Sequence, residues 1–320
     1  MRLRRSTAAF AITALLLVGG VSTAAADGPS GAGAIHIMRI SNPTAQAAAA
    51  GAIGLASTNP ILYWGGPVVP AAKVVSIYWA GARIYNGGPT PGTTGIGTSD
   101  GSLIGYFLRN LAGSSYYNIN TTYYDTVGGG HTVSNGVTYT GYWADNTNVP
   151  GTNKSVRDSA IQQEIVKGFT NGKIAYDPST IYTVFSAKGV NLGGGAFTQY
   201  CAYHGYFSWN GNTVLYAVMP YDYTRPTACS ALSGSPNGDA AADTEVNTLA
   251  HEIEEANTDP QLNAWYDNSG YENADKCAWT FGTTFTTSNG AKANMTLGTK
   301  SFLVQQNWVA AAVQACALAY

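Results

Sequence analysis

The chain has 320 residues, of which 45% are hydrophobic and only 11% are charged, and its formal net charge is -2. Few charges together with 21 tyrosines argue against intrinsic disorder, which goes with high charge and few aromatic side chains. The near-neutral charge balance gives no electrostatic basis for binding nucleic acid.

The first 26 residues have the three parts of a secretory signal: an Arg-rich start, an apolar stretch over about residues 8–21, and an Ala-Ala-Ala end at residues 24–26. The apolar stretch is shorter than the run of about 20 residues that a membrane-spanning helix needs. We therefore predict cleavage after Ala26, which gives a secreted, extracellular protein with no membrane association. An uncleaved membrane anchor is the alternative.

The rest of the chain divides by composition into two parts. Residues 27–65 are rich in Ala, Gly and Ser, which predicts a leader or pro-region with little structure of its own. Residues 66–320 are predicted to form a single main domain of the α+β class with a mixed β-sheet, because strands and helices alternate without a regular βαβ rhythm.

The predicted elements of this domain are taken in chain order. The first is a strand at 73–79, and a helix at 102–111 follows it. A hairpin is predicted from strands at 118–126 and 131–143, followed by a helix at 156–169 and apolar strands at 180–185 and 213–219. A third helix at 240–256 has Asp239 or Asp243 as its cap. A short segment at 302–304 and a small-residue helix at 308–317 close the chain.

The four cysteines all lie in the last third of the chain. Four cysteines allow three pairings, and an exported protein favours pairing. We predict the disulfides Cys201–Cys229 and Cys277–Cys316, because each joins neighbours in sequence. Zinc binding by thiolates is the alternative, although the C-x-x-C spacing typical of such sites is missing.

The sequence His251-Glu252-Ile253-Glu254-Glu255 lies within the third predicted helix. Positions i and i+4 share one face of a helix, so His251 and Glu255 can bind one divalent metal ion. Glu252 occupies the position that holds the general base in H-E-x-x-H metalloproteases. We therefore interpret this helix as a metalloprotease-like H-E-x-x-E helix in which Glu252 activates water.

A third ligand is expected downstream, where Glu272 lies 17 residues beyond Glu255. This spacing resembles metalloproteases that take a third ligand from a later Glu and use an Asp to support the first His. The predicted metal-site residues are thus His251, Glu255, Glu272 and Asp275, with Asp275 orienting His251. Zn²⁺ is the predicted ion, and Ca²⁺ is the alternative because two carboxylates suit a hard cation.

Four other residues have side chains that could take part in a site. His204 is a candidate catalytic residue that stabilises an oxyanion, although a buried, hydrogen-bonded core histidine is the alternative. Asp259, before Pro260, is expected to form a turn. No role is predicted for His36 or His131.

These motifs resemble the phosphate-induced protein 1 / EXORDIUM family. The resemblance rests on residues 250–260 and 263–267, on Glu-Asn-Ala-Asp-Lys-Cys at 272–277, on Cys-Ala-Tyr-His at 201–204 and on the strand that ends in Trp79. It covers about residues 66–320. It implies an extracellular protein, because plant members are cell-wall-associated, and a metallopeptidase-like helix, as in microbial relatives.

Two functions follow as hypotheses. The first is a secreted metal-dependent hydrolase, zinc peptidase-like, that acts on an extracellular peptide, protein or cell-wall substrate. The alternative is a non-catalytic extracellular protein in which the same residues hold a structural ion.

Overall fold

The computed structural model describes residues 35–41, 59–312 and 314–320. The predicted signal peptide lies outside the described residues, as does most of the predicted leader. Secretion and cleavage after Ala26 therefore stay predictions. Among the helices that the structure describes, none is long and apolar enough to cross a bilayer.

Seven strands form the main sheet, and they are β1 (Ile35–Arg39), β2 (Ala72–Trp79), β3 (Thr94–Ile96), β4 (Val137–Asp145), β5 (Thr180–Ser186), β6 (Tyr200–Trp209) and β7 (Asn212–Met219). Their order across the sheet is β1-β6-β7-β5-β2-β4-β3. The central strands β7, β5, β2 and β4 are parallel, whereas β6, β1 and β3 pair antiparallel with their neighbours. The predicted mixed sheet is confirmed.

Four α-helices accompany the sheet: α1 (Leu103–Leu111), α2 (Asp158–Thr170), α3 (Pro226–Cys229) and α4 (Ala240–Thr258). Helix α4 packs on β6 and β7, and α1 packs against β4 and α4. Helix α2 lies on the opposite face, where the Tyr203 hydroxyl of β6 donates a hydrogen bond to Asp158 at 2.6 Å. Because side chains alternate along a strand, the next residue, His204, faces α4. The single domain is therefore a mixed sheet with helices on both faces.

Short elements complete the fold. The two-stranded pairs are Leu62–Tyr63 with Trp265–Tyr266, Tyr124–Asp125 with His131–Thr132, Ser155–Val156 with Asn191–Leu192, Phe285–Thr286 with Lys292–Ala293, Met295–Leu297 with Lys300–Phe302, and Asn307–Val309 with Ala315–Ala317. The 3-10 helices are Gly97–Ser99, Tyr117–Thr122, Val127–Gly129, Asp222–Thr224 and Asp275–Cys277.

Both predicted disulfides are present, Cys201–Cys229 and Cys277–Cys316. The predicted third helix is also confirmed as α4, with the Asp239 side chain accepting a hydrogen bond from the amide of Ala242. The segment that follows α4 is therefore tied through Cys277 to Cys316, which lies in the last strand pair.

One predicted element is wrong and a second is present only in part. The small-residue helix at 308–317 is a pair of short strands, because Trp308 packs in a satellite core with Ile61 and Tyr123 while Cys316 is bonded to Cys277. These tertiary contacts override the helix propensity of alanine. The predicted hairpin at 118–126 and 131–143 is present only as the short antiparallel pair Tyr124–Asp125 with His131–Thr132, because residues 137–145 form strand β4 and pair with β2 in the main sheet.

Strand β1 was not predicted, and it lies inside the predicted leader. It pairs antiparallel with β6 at one edge of the sheet, with Ile35 opposite Gly205 and His36 opposite His204. Met38 is fully buried and belongs to the main core. This short part of the leader therefore belongs to the same sheet as the domain, while the domain boundary at residues 65 and 66 stays a prediction.

Candidate metal centre

Helix α4 brings three of the predicted site residues together. Every residue from Ala241 to Thr258 is buried, so its polar side chains face protein on all sides. His251 Nε2 lies 3.0 Å from Glu255 Oε1, as their i, i+4 spacing predicts. Glu252 is fully buried on the same helix. The local geometry expected from the sequence is thus present.

Strand β6 adds His204 to this group. Its Nδ1 lies 3.3 Å from Glu252 Oε2 and 3.5 Å from Glu255 Oε2. Its Nε2 lies 3.6 Å from Glu272 Oε2. Because the Nδ1 edge faces the two helix carboxylates, the Nε2 edge faces the segment that follows the helix.

That segment contributes Glu272 and Asp275. The backbone amide of Asp275 donates a hydrogen bond to Glu255 Oε1 at 2.9 Å, and Asp275 Oδ1 lies 3.6 Å from His251 Nε2. The disulfide at Cys277 ties the segment to Cys316. Asp275 thus lies beside His251, whereas the nearest imidazole of the described chain to Glu272 Oε2 is that of His204 on β6. The predicted role of Asp275 in orienting His251 stays a prediction.

The unexpected member of the cluster is His36 of β1. Its Nδ1 lies 3.3 Å from Glu272 Oε1, and its Nε2 contacts Asp275 Oδ2. The backbone of Met38, two residues on, is near enough to Glu252 to offset part of the rise in its pKa that burial causes. Ile35 and Ile37 alternate with His36, and this pattern is typical of a strand. The pattern is easily missed because the surrounding leader is rich in small residues.

The charges at this site shift the pKa values of its carboxyl groups in opposite directions. Burial raises the pKa of Glu252 well above its usual range, and the nearby carboxylates of Glu255 and Asp275 raise it further. Burial acts on Glu255 in the same way, but His251 and then His204 outweigh it and hold its pKa well below its usual range. Glu255 is thus the carboxylate that the imidazoles keep ionised.

The outer groups follow the same physics. Burial raises the pKa of Glu272, with Asp259 as the largest neighbouring charge, and burial raises the pKa of Asp259 itself to about 6. Burial lowers the pKa of His204. Burial also acts to lower the pKa of His36, but Asp275 outweighs it and raises that pKa to about 9.

Several buried atoms of the cluster have no hydrogen-bond partner within the described chain. They are His204 Nε2, His251 Nε2, Glu252 Oε1, Glu255 Oε2, Asp259 Oδ2 and Glu272 Oε2. His251 Nε2 is near Glu255, but only as an ion pair without hydrogen-bond geometry. Unsatisfied buried polar atoms are costly, so their convergence on one point calls for a ligand.

Two sets of three residues place one ligand atom each within 4.8 Å of one another: His204 with Glu255 and Glu272, and His36 with Glu255 and Asp275. Glu255 belongs to both sets. A third set, Cys201, Asp222 and Cys229, has both of its sulfur atoms in a disulfide. The candidate metal ligands therefore centre on Glu255.

Comparison with known proteins identifies the family. The model of the phosphate-induced protein 1 conserved region matches residues 109–302, which is more than half of the chain. The chain belongs to the phosphate-induced protein 1 family. The matched region of this family includes His204, His251, Glu255, Glu272 and Asp275, whereas His36 lies outside it.

One curated relative supports this assignment. Protein EXORDIUM-like 3 of Arabidopsis thaliana is 35% identical over 85 residues, which is 24% of this chain and 25% of the relative. The matched segment therefore spans about a quarter of the relative's length. No solved structure gives a significant match to this member of the phosphate-induced protein 1 family.

Proposed function

We propose that this chain is a secreted, metal-dependent hydrolase. The observation that carries the proposal is the convergence of unpartnered, buried imidazole and carboxylate atoms on Glu255. Secretion is supported by the signal-like start of the sequence and by the two disulfides, which persist in oxidising compartments. Membership of a family with a plant relative named for EXORDIUM is compatible with it.

The donor set fits a divalent transition metal. Two ligands at about 2.1 Å from a tetrahedral Zn²⁺ ion lie about 3.4 Å apart, and His204 Nε2 lies 3.6 Å from Glu272 Oε2. The Nδ1 edge of His204 faces Glu252, an arrangement that leaves Nε2 free to bind metal. Imidazole ligands suit Zn²⁺ better than Ca²⁺, which prefers oxygen. We therefore assign metal binding to His204, His251, Glu255 and Glu272.

Glu252 has the position of a general base, and one of its oxygen atoms is available to accept a proton. One of its oxygens, Oε2, faces His204 Nδ1, while Oε1 is unpartnered and fully buried. Its raised pKa, caused first by burial, strengthens it as a proton acceptor near neutral pH. A divalent ion in the site would polarise a substrate carbonyl and acidify water. Glu252 would then take the proton from water. Gln305 contacts Nδ1 of His251 and holds this imidazole in place, whereas Asp275 lies at the Nε2 edge, which would face the ion.

A second candidate is a non-catalytic extracellular protein with a structural ion. The observation that favours it is burial: His251, Glu252 and Glu255 are all 0% exposed. Two surface depressions of the described chain, one beside Asn237 and one beside Asn110, contain none of the site residues. A substrate would therefore have to reach the cluster through a movement of the elements that cover it.

The two candidates are separated by one variant with a matched control. The purified secreted protein is analysed for metal by mass spectrometry and incubated with an unfolded protein such as casein. We expect bound transition metal, hydrolysis, and a loss of hydrolysis of about 100-fold or more in Glu252→Gln with metal retained. The control is Glu254→Gln, an equally buried neighbour whose Oε2 accepts a hydrogen bond from Asn307 at 2.8 Å.

Glu254→Gln is expected to keep both the metal and the activity. Bound metal without any hydrolysis by wild-type protein would favour the structural ion. Wild-type protein with no bound metal after incubation with Zn²⁺, Mn²⁺ or Ca²⁺ would contradict both candidates.

A further inference from the structure

Strand β1 adds a third imidazole to the cluster from outside the region that defines the family. His36 and His204 are cross-strand partners, so their side chains lie on the same face of the sheet. Their ring centroids are 5.8 Å apart. Glu272 contacts both rings, with Oε1 3.3 Å from His36 Nδ1 and Oε2 3.6 Å from His204 Nε2. Oε2 of Glu255 lies 3.5 Å from the Nδ1 atom of His204.

The candidate ligand atoms form two groups, and each group lies beside a different oxygen of the Glu255 carboxylate. Oε2 of Glu255 faces His204, whose other nitrogen faces Glu272. Oε1 of Glu255 faces His251 and the amide of Asp275, and Asp275 in turn contacts His36. A carboxylate whose two oxygens serve different ligand groups has the arrangement of a bridging ligand.

The cluster contains enough oxygen ligands for two cations. Five carboxyl groups surround the imidazoles, and they are Glu252, Glu255, Asp259, Glu272 and Asp275. A divalent cation binds carboxylates in their ionised form and imidazoles in their neutral form.

We propose that the site binds two divalent cations that share the carboxylate of Glu255. One is held by His204 and Glu272, and the other by His36 and Asp275, with His251 beside it. This inference deepens the proposed function and rests on it. Two-metal sites occur in hydrolases that include aminopeptidases, so a second ion suits the same reaction class.

The proposal has a consequence for the mature chain. His36 lies in the part of the sequence that composition marks as a leader, so a fully loaded protein must retain it. Strand β1 then has two roles, because it pairs with β6 at one edge of the sheet and provides His36 as a metal ligand.

The test counts metal ions in the full secreted chain. Protein is stripped with a chelator, saturated with Zn²⁺, freed of excess metal and measured by mass spectrometry. We expect two Zn²⁺ ions per wild-type chain and one in His36→Ala. Since an outer-shell partner is worth about 10- to 100-fold in metal affinity, losing a ligand should weaken the second ion by about 100-fold or more.

The matched control is His131→Ala. His131 is the one histidine of the chain's four that lies outside the cluster; it is about half exposed and its Nδ1 lies 3.0 Å from Asp125 Oδ1. This variant should still bind two ions. Asp275→Asn removes the other proposed ligand of the same ion, and this variant should also bind one Zn²⁺ ion. It guards against a folding defect specific to β1.

The outcomes separate this inference from the proposed function. One ion in wild-type protein, with unchanged count and affinity in His36→Ala, would overturn the second position and leave the single-metal hydrolase intact. No ion in wild-type protein would remove the basis of both. Two ions in both wild-type protein and His36→Ala would show that His36 is not a ligand and would also overturn the assignment.

Discussion

Helix α4 buries carboxyl groups at two places that differ in their surroundings. Near its start, Glu245 Oε2 accepts a hydrogen bond from the amide of Asp222 at 3.1 Å. Near its end, Glu252 and Glu255 meet imidazoles. Within the described residues, no histidine pairs with Asp222 or Glu245.

This difference shows two ways in which the fold accommodates buried carboxyl groups. At the first place, burial raises the pKa of Asp222 well above its usual range, with Glu245 as the neighbouring charge, and burial raises the pKa of Glu245 to about 8. Protons therefore neutralise this pair. At the second place imidazoles keep Glu255 ionised, so a cation is the better solution. Imidazoles, and not buried carboxyls alone, mark the metal centre.

The largest predicted effect concerns the two disulfides, one beside each place. Cys277–Cys316 closes 39 residues near the metal centre, and Cys201–Cys229 closes 28 residues beside Asp222. Loop-closure entropy predicts that replacing either pair by serine lowers the free energy of unfolding by about 4 kcal/mol. Urea denaturation of the oxidised wild-type and variant proteins measures this loss.

Metal binding should distinguish the two disulfide variants. Only the loss of Cys277–Cys316 frees the segment that carries Glu272 and Asp275, so only this variant should bind Zn²⁺ more weakly. Equal Zn²⁺ affinity in both variants would contradict the view that this disulfide positions the segment.

The next effect compares one carboxyl group from each place. Glu255→Gln removes the shared ligand, and we expect Zn²⁺ affinity to fall by about 100-fold or more. Glu245→Gln, on the same helix and equally buried, should leave affinity unchanged. A chelator competition titration measures both. If the two variants bind Zn²⁺ alike, Glu255 is not the centre of the site.

Counted per pH unit, the smallest effect is the pH dependence of the proton-neutralised pair. Because the pKa of Glu245 rises from 4.5 to about 8 on folding, its contribution to stability is full below pH 4.5 and is lost as the pH rises through 8. Within this window the loss is at most about 1.4 kcal/mol per pH unit. Urea denaturation between pH 5 and pH 9 measures the slope.

Glu245→Gln should flatten this slope, because the glutamine oxygen still accepts from the amide of Asp222 but carries no charge. Parallel curves for wild type and variant would mean that Glu245 is ionised throughout, and the contrast between the two places would fail.

Local sequence rules predicted the parts of the site that lie on one element. The i, i+4 pair His251 and Glu255 and the cap at Asp239 depend only on helix geometry, and the structure has both. The contact of Asp275 with His251 was also anticipated, through a resemblance between spacings. The position of Glu272 against His204 was not, because it depends on how a strand and a loop meet in space.

What the sequence by itself determined is therefore the helix, the buried strands, both cysteine pairs and the family, since these depend on periodicity, order along the chain and motif. Only the tertiary structure decided which side chains from other elements lie against the helix. His36 lies 239 positions before Asp275, and antiparallel pairing of β1 with β6 brings the two into contact. Strand pairing is set by register with a distant partner, and no local pattern around His36 encodes that partner.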